Sequence, residues 1–223
     1  MAGSIRICLI ADGFYDDFRL CVDSIKKFTQ APISIFASGK ENKDVPELFG
    51  GTWVKNKLGW GHSINQFLNT SSERYLVIMD PSTRFLGDAI TPALSKLDEG
   101  YQGVGWRGGL VNVEDDWRSV DDKGAGEVDV LFSYFFAVER DFLLKAGGDN
   151  PSATYYRNAD IEMSLAIRAA GGKLWQMDLP LEQGRHHGYH DVDPDYREKK
   201  SKENYNRVLE KFRGRNEILV ARR

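Results

Sequence analysis

The chain has 223 residues, of which 41% are hydrophobic and 28% are charged, a composition typical of a folded globular protein and not of a disordered or collagen-like one. Its formal net charge of −3 is too close to zero to favour nucleic acid as the main partner. The length predicts one folded domain, with or without a long tail.

Apolar patterning predicts strands and helices that alternate in the first half of the chain. Short runs of branched and aromatic residues predict strands over 5–10, 32–37, 52–54, 75–79, 101–106, 128–138 and 174–177. Helical spacing of apolar residues predicts helices over 17–29, 88–98, 140–146, 160–170 and 195–213, and another that follows the turn at 58–63 and ends near 68. This order indicates an α/β fold with a mostly parallel central sheet and helices on both faces.

The sequence offers no recognisable targeting or membrane segment. The first residues lack the basic start and long apolar stretch of a signal peptide. The most apolar run, 128–138, is interrupted by Asp129 and is far shorter than the about 20 residues that cross a bilayer. We therefore expect a cytoplasmic protein without a transmembrane segment.

Polar residues that directly follow predicted strands are the first candidates for a binding site. Open α/β sheets bind ligands beyond the carboxyl ends of their strands. Asp12, Ser38, Asp80 and Arg107 occupy these positions. The Asp-Pro-Ser-Thr sequence that begins at Asp80 suits an ordinary turn as well as a functional carboxylate, so the motif alone leaves both interpretations open.

A second group of titratable residues lies in the last third of the chain. Asp160 and Glu162 begin a predicted helix, where acids either cap the helix or supply a general base. Because they are two positions apart, only one is expected to face a site. His186, His187 and His190 form a cluster that suits a metal or phosphate role as readily as a structural one.

Several common catalytic motifs are absent. The chain has no phosphate-binding G-x-x-x-x-G-K-[ST] loop, no G-x-G-x-x-G after a strand and no G-x-S-x-G elbow. These absences disfavour ATP hydrolysis, dinucleotide redox chemistry and α/β-hydrolase chemistry.

The segment 108–127 is rich in glycine and acids and lacks periodicity. A connection of this length in a small domain is usually a functional lid or a disordered insertion. If it is a lid, its position after the fifth predicted strand places it at the site, with Trp117 as the side chain that stacks on a ligand.

Two segments, LGWGHSINQ at 58–66 and YLVIMDPST at 75–83, begin an ordered series of motifs. They resemble the start of the N-L-G helix and the strand with the D-x-D motif of the inverting family 2 glycosyltransferases, which have the GT-A fold. FSYFFAVER at 132–140 resembles the acceptor-side strand. DIEMSL at 160–165, followed by RAAG at 168–171, resembles the helix that carries the catalytic acid. The agreement extends over about residues 5–190.

The resemblance implies a single GT-A domain over residues 1–190 and a C-terminal helical tail over 191–223 packed on it. It implies transfer of a sugar, with a hexose favoured, from a nucleotide-sugar donor to an acceptor hydroxyl with inversion. The acceptor stays open among a polysaccharide, a lipid-linked oligosaccharide, a protein and a modified nucleobase.

The resemblance also implies roles for individual residues. Asp160 matches the family's catalytic base. Asp80 matches an acid that contacts the donor ribose or the cation on the donor diphosphate, and His187, or His186 beside it, would complete a site for Mn²⁺ or Mg²⁺. Asp12 and Arg107 are further candidates for donor contacts.

The chain departs from the family pattern at three acidic positions. Ala37 or Ser38 stands where the family has an aspartate that reads the nucleobase after the second strand. Ser82 stands in place of the second acid of D-x-D, although it remains a candidate donor contact, and Ala159 replaces the Glu of the Glu-Asp pair. These departures favour the alternative of a catalytically silent GT-A-like module that binds a nucleotide, a glycan or a protein. A nucleotidyltransferase is a weaker alternative, because it would normally need a phosphate-binding loop rich in glycine and lysine near the first strand.

Overall fold

The computed structural model describes residues 4–222, in which helices separate most of the strands up to residue 98 and six successive strands then precede the next helix. Residues 1–3 and 223, which end the predicted domain and tail, lie outside this range. The strands are β1 (Ile5–Ala11), β2 (Ile33–Ser38), β3 (Thr52–Val54), β4 (Tyr75–Met79), β5 (Thr83–Phe85), β6 (Gly103–Gly105), β7 (Gly108–Val111), β8 (Val120–Asp121), β9 (Gly126–Val128), β10 (Val130–Leu131), β11 (Phe136–Glu139), β12 (Leu174–Gln176) and β13 (Leu181–Gln183). The helices are α1 (Tyr15–Phe28), α2 (Val45–Phe49), α3 (Trp60–Thr70), α4 (Ile90–Asp98), α5 (Arg140–Lys145), α6 (Ala159–Ala169), α7 (His187–His190) and α8 (Pro194–Phe212).

An eight-stranded central sheet has the strand order β3-β2-β1-β4-β11-β6-β12-β9. The first four strands in this order are parallel neighbours, and β6 and β12 are also parallel. Strand β11 is antiparallel to both β4 and β6, and β9 is antiparallel to β12. The predicted α/β class with one large central sheet is confirmed, and the antiparallel pairs all involve strands from the second half of the chain.

The side chains of β4 show why the sheet is covered on both faces. Tyr75, Val77 and Met79 enter a core shared with α1 and α4. Leu76 and Ile78 enter a second core shared with α3 and α6. Successive side chains of a strand point to opposite faces, so a continuous apolar run buries itself only between two layers of helices. No helix among residues 4–222 has the length and apolarity needed to span a membrane.

The single long strand predicted over 128–138 is wrong, because the structure divides this run into β9, β10 and β11. Asp129, which separates β9 from β10, is fully buried. Its Oδ2 accepts hydrogen bonds from the amide of Val111 at 2.8 Å and from Arg222 at 2.6 Å, and its Oδ1 accepts from the amide of Val220 at 2.7 Å. A buried carboxylate must be hydrogen-bonded. The strand is therefore interrupted at Asp129, where the carboxylate contacts these partners.

The stacking role predicted for Trp117 is also wrong. Strands β7 and β8, within the segment predicted as a loop over 108–127, form a small sheet with β10. Trp117 is 4% exposed and packs in a core that includes Val208 and Phe212 of α8. Its ring is therefore not available to a ligand.

Helix α8 forms most of the predicted C-terminal tail. Asp193 caps its start by accepting a hydrogen bond from the amide of Tyr196 at 2.8 Å, and Pro194 occupies the first helical position, where its missing N–H costs nothing. Val208 and Phe212 then pack into the core that also contains residues of α6. Helix α8 therefore packs against the domain through its apolar face.

Removal of the Asp129 carboxylate tests how the C-terminal segment is held. In Asp129→Ala, the buried amide of Val111 and the partly buried amide of Val220 lose their acceptor, and we expect the free energy of unfolding to fall by about 3 kcal/mol. Urea unfolding followed by circular dichroism measures this change. Asp141→Ala is the control, because its 84% exposed carboxylate pairs with Arg140 at the surface and should contribute less than about 1 kcal/mol. Equal losses of unfolding free energy in the two variants would contradict the conclusion that the Asp129 carboxylate holds the C-terminal segment.

Candidate functional site

Strand β4 delivers Asp80 to the carboxyl edge of the sheet. The Asp80 amide donates a hydrogen bond to the Ser133 carbonyl oxygen at 2.8 Å, which joins this edge to the segment before β11. Asp80 Oδ1 accepts hydrogen bonds from the amide and the hydroxyl of Ser82, at 2.8 and 2.5 Å. Ser82 therefore orients the Asp80 carboxylate, while Asp80 Oδ2 lies 3.5 Å from His186 Nε2.

Asp160 lies in the first turn of α6 and is 6% exposed. Its Oδ2 accepts hydrogen bonds from the Ser133 amide at 3.0 Å and the Ser133 hydroxyl at 3.3 Å, and its Oδ1 accepts from the Ile161 amide at 3.0 Å. Burial raises the pKa of Asp160 to about 6, although these hydrogen bonds favour the carboxylate. A carboxyl group with this pKa is suited to accept a proton from a hydroxyl near neutral pH.

The second acid of α6 faces elsewhere. Glu162 is 3% exposed, and its Oε1 accepts a hydrogen bond from Asn150 Nδ2 at 2.8 Å. Its Oε2 lies 3.3 Å from Arg207 Nε, in an ion pair with α8. Glu162 is therefore engaged in packing α6 against its neighbours, which agrees with the expectation that only one of the two acids faces a site.

The adjacent histidines have different partners. His186 is buried beside Asp80, as its 3.5 Å contact shows. Both ring nitrogens of His187 are already engaged: Nε2 lies 2.7 Å from Asp17 Oδ2, and Nδ1 lies 2.7 Å from Asp191 Oδ2. The hydrogen bond with His187 lowers the pKa of Asp17 below its usual value. The structure thus brings His186, and not His187, to Asp80.

Two cavities meet at this point, and Asp80, Ser133 and Tyr156 line both of them. The smaller has a volume of about 180 Å³ and lies beyond the ends of β1 and β4, next to the start of α3. The larger has a volume of about 520 Å³ and contains Asp160 and His186. The Asp80 carboxylate therefore stands between a mainly apolar pocket and a wider pocket that holds the buried acid.

The smaller cavity carries the predicted residue Asp12 at its mouth. Asp12 Oδ1 lies 2.5 Å from Lys57 Nζ and 3.1 Å from Asn42 Nδ2. Across the mouth, the ring of Phe14 stacks on the ring of His187 with centroids 3.8 Å apart. Phe14 has a φ of 49°, a left-handed conformation that is uncommon for a bulky side chain and recurs at functional sites.

Arg107 does not line either cavity. It is exposed, and its guanidinium group lies 4.4 Å from the ring centroid of Trp106. The structure therefore brings Asp12, Asp80, Ser82, Asp160 and His187 to the two cavities or their walls, but leaves Arg107 outside.

Two side chains, those of Asp80 and His186, are close enough together that they could bind one divalent cation. Asp80 Oδ2 and His186 Nε2 face each other, and the buried His186 Nδ1 has no hydrogen-bond partner. Within residues 4–222, no group of three or more His, Cys, Asp or Glu side chains is arranged to hold a metal. A carboxylate and an imidazole fit Mn²⁺ or Mg²⁺ as a partial ligand set, to which phosphate oxygens and water would have to be added.

Sequence reasoning missed three residues that shape this site. Ser133 interrupts the apolar run over 128–138, and that interruption was the available signal for a buried polar contact. Tyr156, whose phenol pKa is raised by burial, and Asp17, the partner of His187, carry no local pattern that distinguishes them.

Comparison with known proteins supports the fold. No family model matches the chain, and no curated protein matches its sequence. GalNAc-T7, solved with UDP, GalNAc and Mn²⁺, superposes with a TM-score of 0.70 at 14% identity, over 94% of this chain and 48% of that chain. The mannosyltransferase PcManGT from Pyrobaculum calidifontis, in complex with GDP-Man and Mn²⁺, superposes with a TM-score of 0.61 at 14% identity, over 80% of this chain and 55% of that one.

The likeness establishes that this chain has the fold that these two glycosyltransferases share, the GT-A fold that the sequence motifs predicted. The chain spans about half the length of either protein. Both neighbours were solved with a nucleotide or a nucleotide sugar and with Mn²⁺. At 14% identity the comparison shows the fold alone, so reaction and substrates must be argued from the site itself.

The raised pKa of Asp160 predicts a specific pH dependence of stability. The neutral carboxyl is favoured in the folded state, so this group's contribution is present below its unfolded pKa of about 4 and is lost as pH rises through about 6. Relative to Asp160→Asn, the wild type should therefore lose on the order of 3 kcal/mol of unfolding free energy between pH 4 and pH 7. Chemical unfolding of both proteins at several pH values measures the difference. A difference that is constant with pH would show that Asp160 titrates normally.

Proposed function

We propose that this protein is a glycosyltransferase that moves a sugar from a nucleotide-sugar donor to an acceptor hydroxyl with inversion, and that Asp160 is the catalytic base. One observation carries the proposal: a buried carboxyl with a pKa of about 6 lies in the larger cavity. The Asp80 carboxylate separates it from a second pocket. The fold shared with nucleotide-sugar glycosyltransferases supports this interpretation.

The proposed reaction is a single displacement. The acceptor hydroxyl lies in the larger cavity and loses its proton to the Asp160 carboxylate as its oxygen forms a bond to the anomeric carbon of the donor sugar. The bond from that carbon to the donor diphosphate breaks, and the nucleoside diphosphate leaves with the bonding electrons. Ser133 keeps the Asp160 carboxylate in place through its amide and hydroxyl hydrogen bonds.

The smaller cavity is the proposed position of the nucleotide. Its apolar walls, which include Ile10, Ile64 and Ile78, suit the flat face of a base, and Asp12 at the mouth suits a polar contact. Asp80 and His186 would hold a divalent cation whose charge stabilises the leaving diphosphate.

A second candidate function is a GT-A-like module that binds its ligand without catalysis. Ser82 favours it, because it occupies the position of a second acid and is engaged in orienting Asp80. Ala159 favours it as well, since it is fully buried and offers no polar group. The Asp160 substitution distinguishes the two candidates, because a binding module has no turnover to lose.

Replacement of Asp160 tests the proposed base. Asp160→Asn preserves the size of the side chain but cannot accept the proton, so sugar transfer should fall roughly 10²–10⁴-fold. A thermal-shift screen of nucleoside diphosphates with and without Mn²⁺ first identifies the donor nucleotide, since ligand at 100 times its dissociation constant stabilises by about 2.7 kcal/mol. Release of that nucleoside diphosphate from its sugar conjugate then measures the rate.

Glu162→Gln is the matched control, because it removes a carboxylate from the same helix but outside both cavities. It should keep most of the transfer rate, and Asp160→Asn should keep nucleotide affinity. Full activity of Asp160→Asn would exclude it as the base. Wild-type protein that binds nucleotide but transfers no sugar to water or to a panel of glycosides would favour the silent module.

The partial ligand set predicts that cation binding depends on the nucleotide. Calorimetric titration of Mn²⁺ should show no tight binding to the protein alone, and binding should appear once a nucleoside diphosphate is present. Asp80→Asn should weaken this nucleotide-dependent binding, whereas Asp141→Asn, at an exposed surface position, should not. Tight binding of Mn²⁺ in the absence of nucleotide would contradict the prediction.

A further inference from the structure

We propose that the larger cavity selects acceptors that carry a negatively charged group, such as the carboxylate of a uronic acid, through the guanidinium groups of Arg118 and Arg157. This inference rests on the proposed function, because it names the acceptor class of the same site. Both arginines line the larger cavity, and neither lines the smaller one.

The guanidinium groups of the two arginines form no close ion pair in the part of the chain that the structure describes. The Asp115 carboxylate near Arg118 accepts hydrogen bonds from the Ser119 hydroxyl and the Arg118 amide. Within residues 4–222, neither Arg118 nor Arg157 forms an ion pair, whereas Arg84, Arg168 and Arg207 do. The guanidinium group of Arg157 lies 5.2 Å from the ring centroid of Tyr189. Both side chains are exposed at the cavity, so their charge is available to a ligand.

Two consecutive residues of α8 hold the backbone at both arginines. Asn204, which is 2% exposed, donates a hydrogen bond from Nδ2 to the carbonyl oxygen of Arg157 at 2.8 Å. The Tyr205 hydroxyl donates to the carbonyl oxygen of Trp117, the residue before Arg118. The two guanidinium groups therefore extend from anchored backbone, which lowers the entropy lost when they bind a ligand.

Asp80 and Asp160 also line this cavity, but within residues 4–222 neither acid forms an ion pair with Arg118 or Arg157. The Asp80 carboxylate is oriented by Ser82, and the Asp160 carboxylate is oriented by Ser133 and Ile161. Guanidinium groups form paired hydrogen bonds with carboxylate or phosphate oxygens, and aromatic side chains offer flat surfaces to sugar rings. Tyrosine side chains line the same cavity, so it combines the two kinds of contact that an acidic saccharide would use: Tyr134, Tyr156, Tyr189 and Tyr205.

A matched pair of sugars isolates the charge. Methyl β-D-glucuronide and methyl β-D-glucoside differ in the carboxylate that replaces the hydroxymethyl group, and the corresponding galactose pair tests a second stereochemistry. NMR titration at low salt should show at least one uronide binding about tenfold more tightly than its neutral partner. Arg118→Gln and Arg157→Gln should each weaken uronide binding several-fold without weakening neutral sugar binding, and added salt should reduce the preference.

Arg19→Gln is the control, because Arg19 also has no ion pair with any of residues 4–222 but lies over the Phe49 ring, outside both cavities. Its uronide affinity should equal that of the wild type, and thermal melting confirms that all variants fold. Equal affinity for the acidic and neutral sugars, or no binding of either uronide, would overturn the proposal.

Nucleoside diphosphate binding, measured on the same samples, separates this inference from the proposed function. If the arginine variants lose affinity for the nucleoside diphosphate and keep their affinity for the uronide, the arginines serve the donor diphosphate. That result overturns the assignment to the acceptor and leaves the glycosyltransferase proposal intact. If the wild type transfers no sugar but still prefers uronides, the glycosyltransferase proposal fails and the assignment of the arginines to an acidic saccharide stands.

Discussion

The functional end of this molecule depends on the hydrogen bonds of one buried serine. The carbonyl oxygen of Ser133 accepts from the amide of Asp80, and the amide and hydroxyl of Ser133 donate to the carboxylate of Asp160. These hydrogen bonds connect the end of β4 with the first turn of α6, two elements that are distant in the sequence. Both acids line the larger cavity together with Ser133.

Burial decides the chemical character of Asp160. The first turn of a helix favours a charged carboxylate by about 0.3–1 kcal/mol, and three hydrogen bonds favour it further. The pKa is nevertheless raised to about 6, so the cost of removing the charge from water exceeds these contributions. The same acid on an exposed helix would be a stabilising cap with an ordinary pKa, and it would be a weaker base.

Helix α8 connects the stability of the fold with the shape of the larger cavity. Its apolar face supplies Val208 and Phe212 to a core shared with α6. Its polar residues Asn204 and Tyr205 hold the backbone on two sides of the cavity. The chain segment after it returns to the sheet through Asp129. The segment predicted as a helical tail packed on the domain therefore also contributes Tyr205 to the lining of the larger cavity.

Local patterns in the sequence were sufficient to locate the helices predicted from apolar spacing, the parallel strands β1, β2 and β4, and the strand-end acids Asp12 and Asp80, since each depends on periodicity or on a turn. The pairing of polar groups was decided only by the tertiary structure. The choice of His186 over His187, the burial of Trp117 and the position of Arg107 outside both cavities all depend on which segments meet in space. A buried polar group must find its partner wherever the chain provides one, and that partner is usually distant in the sequence.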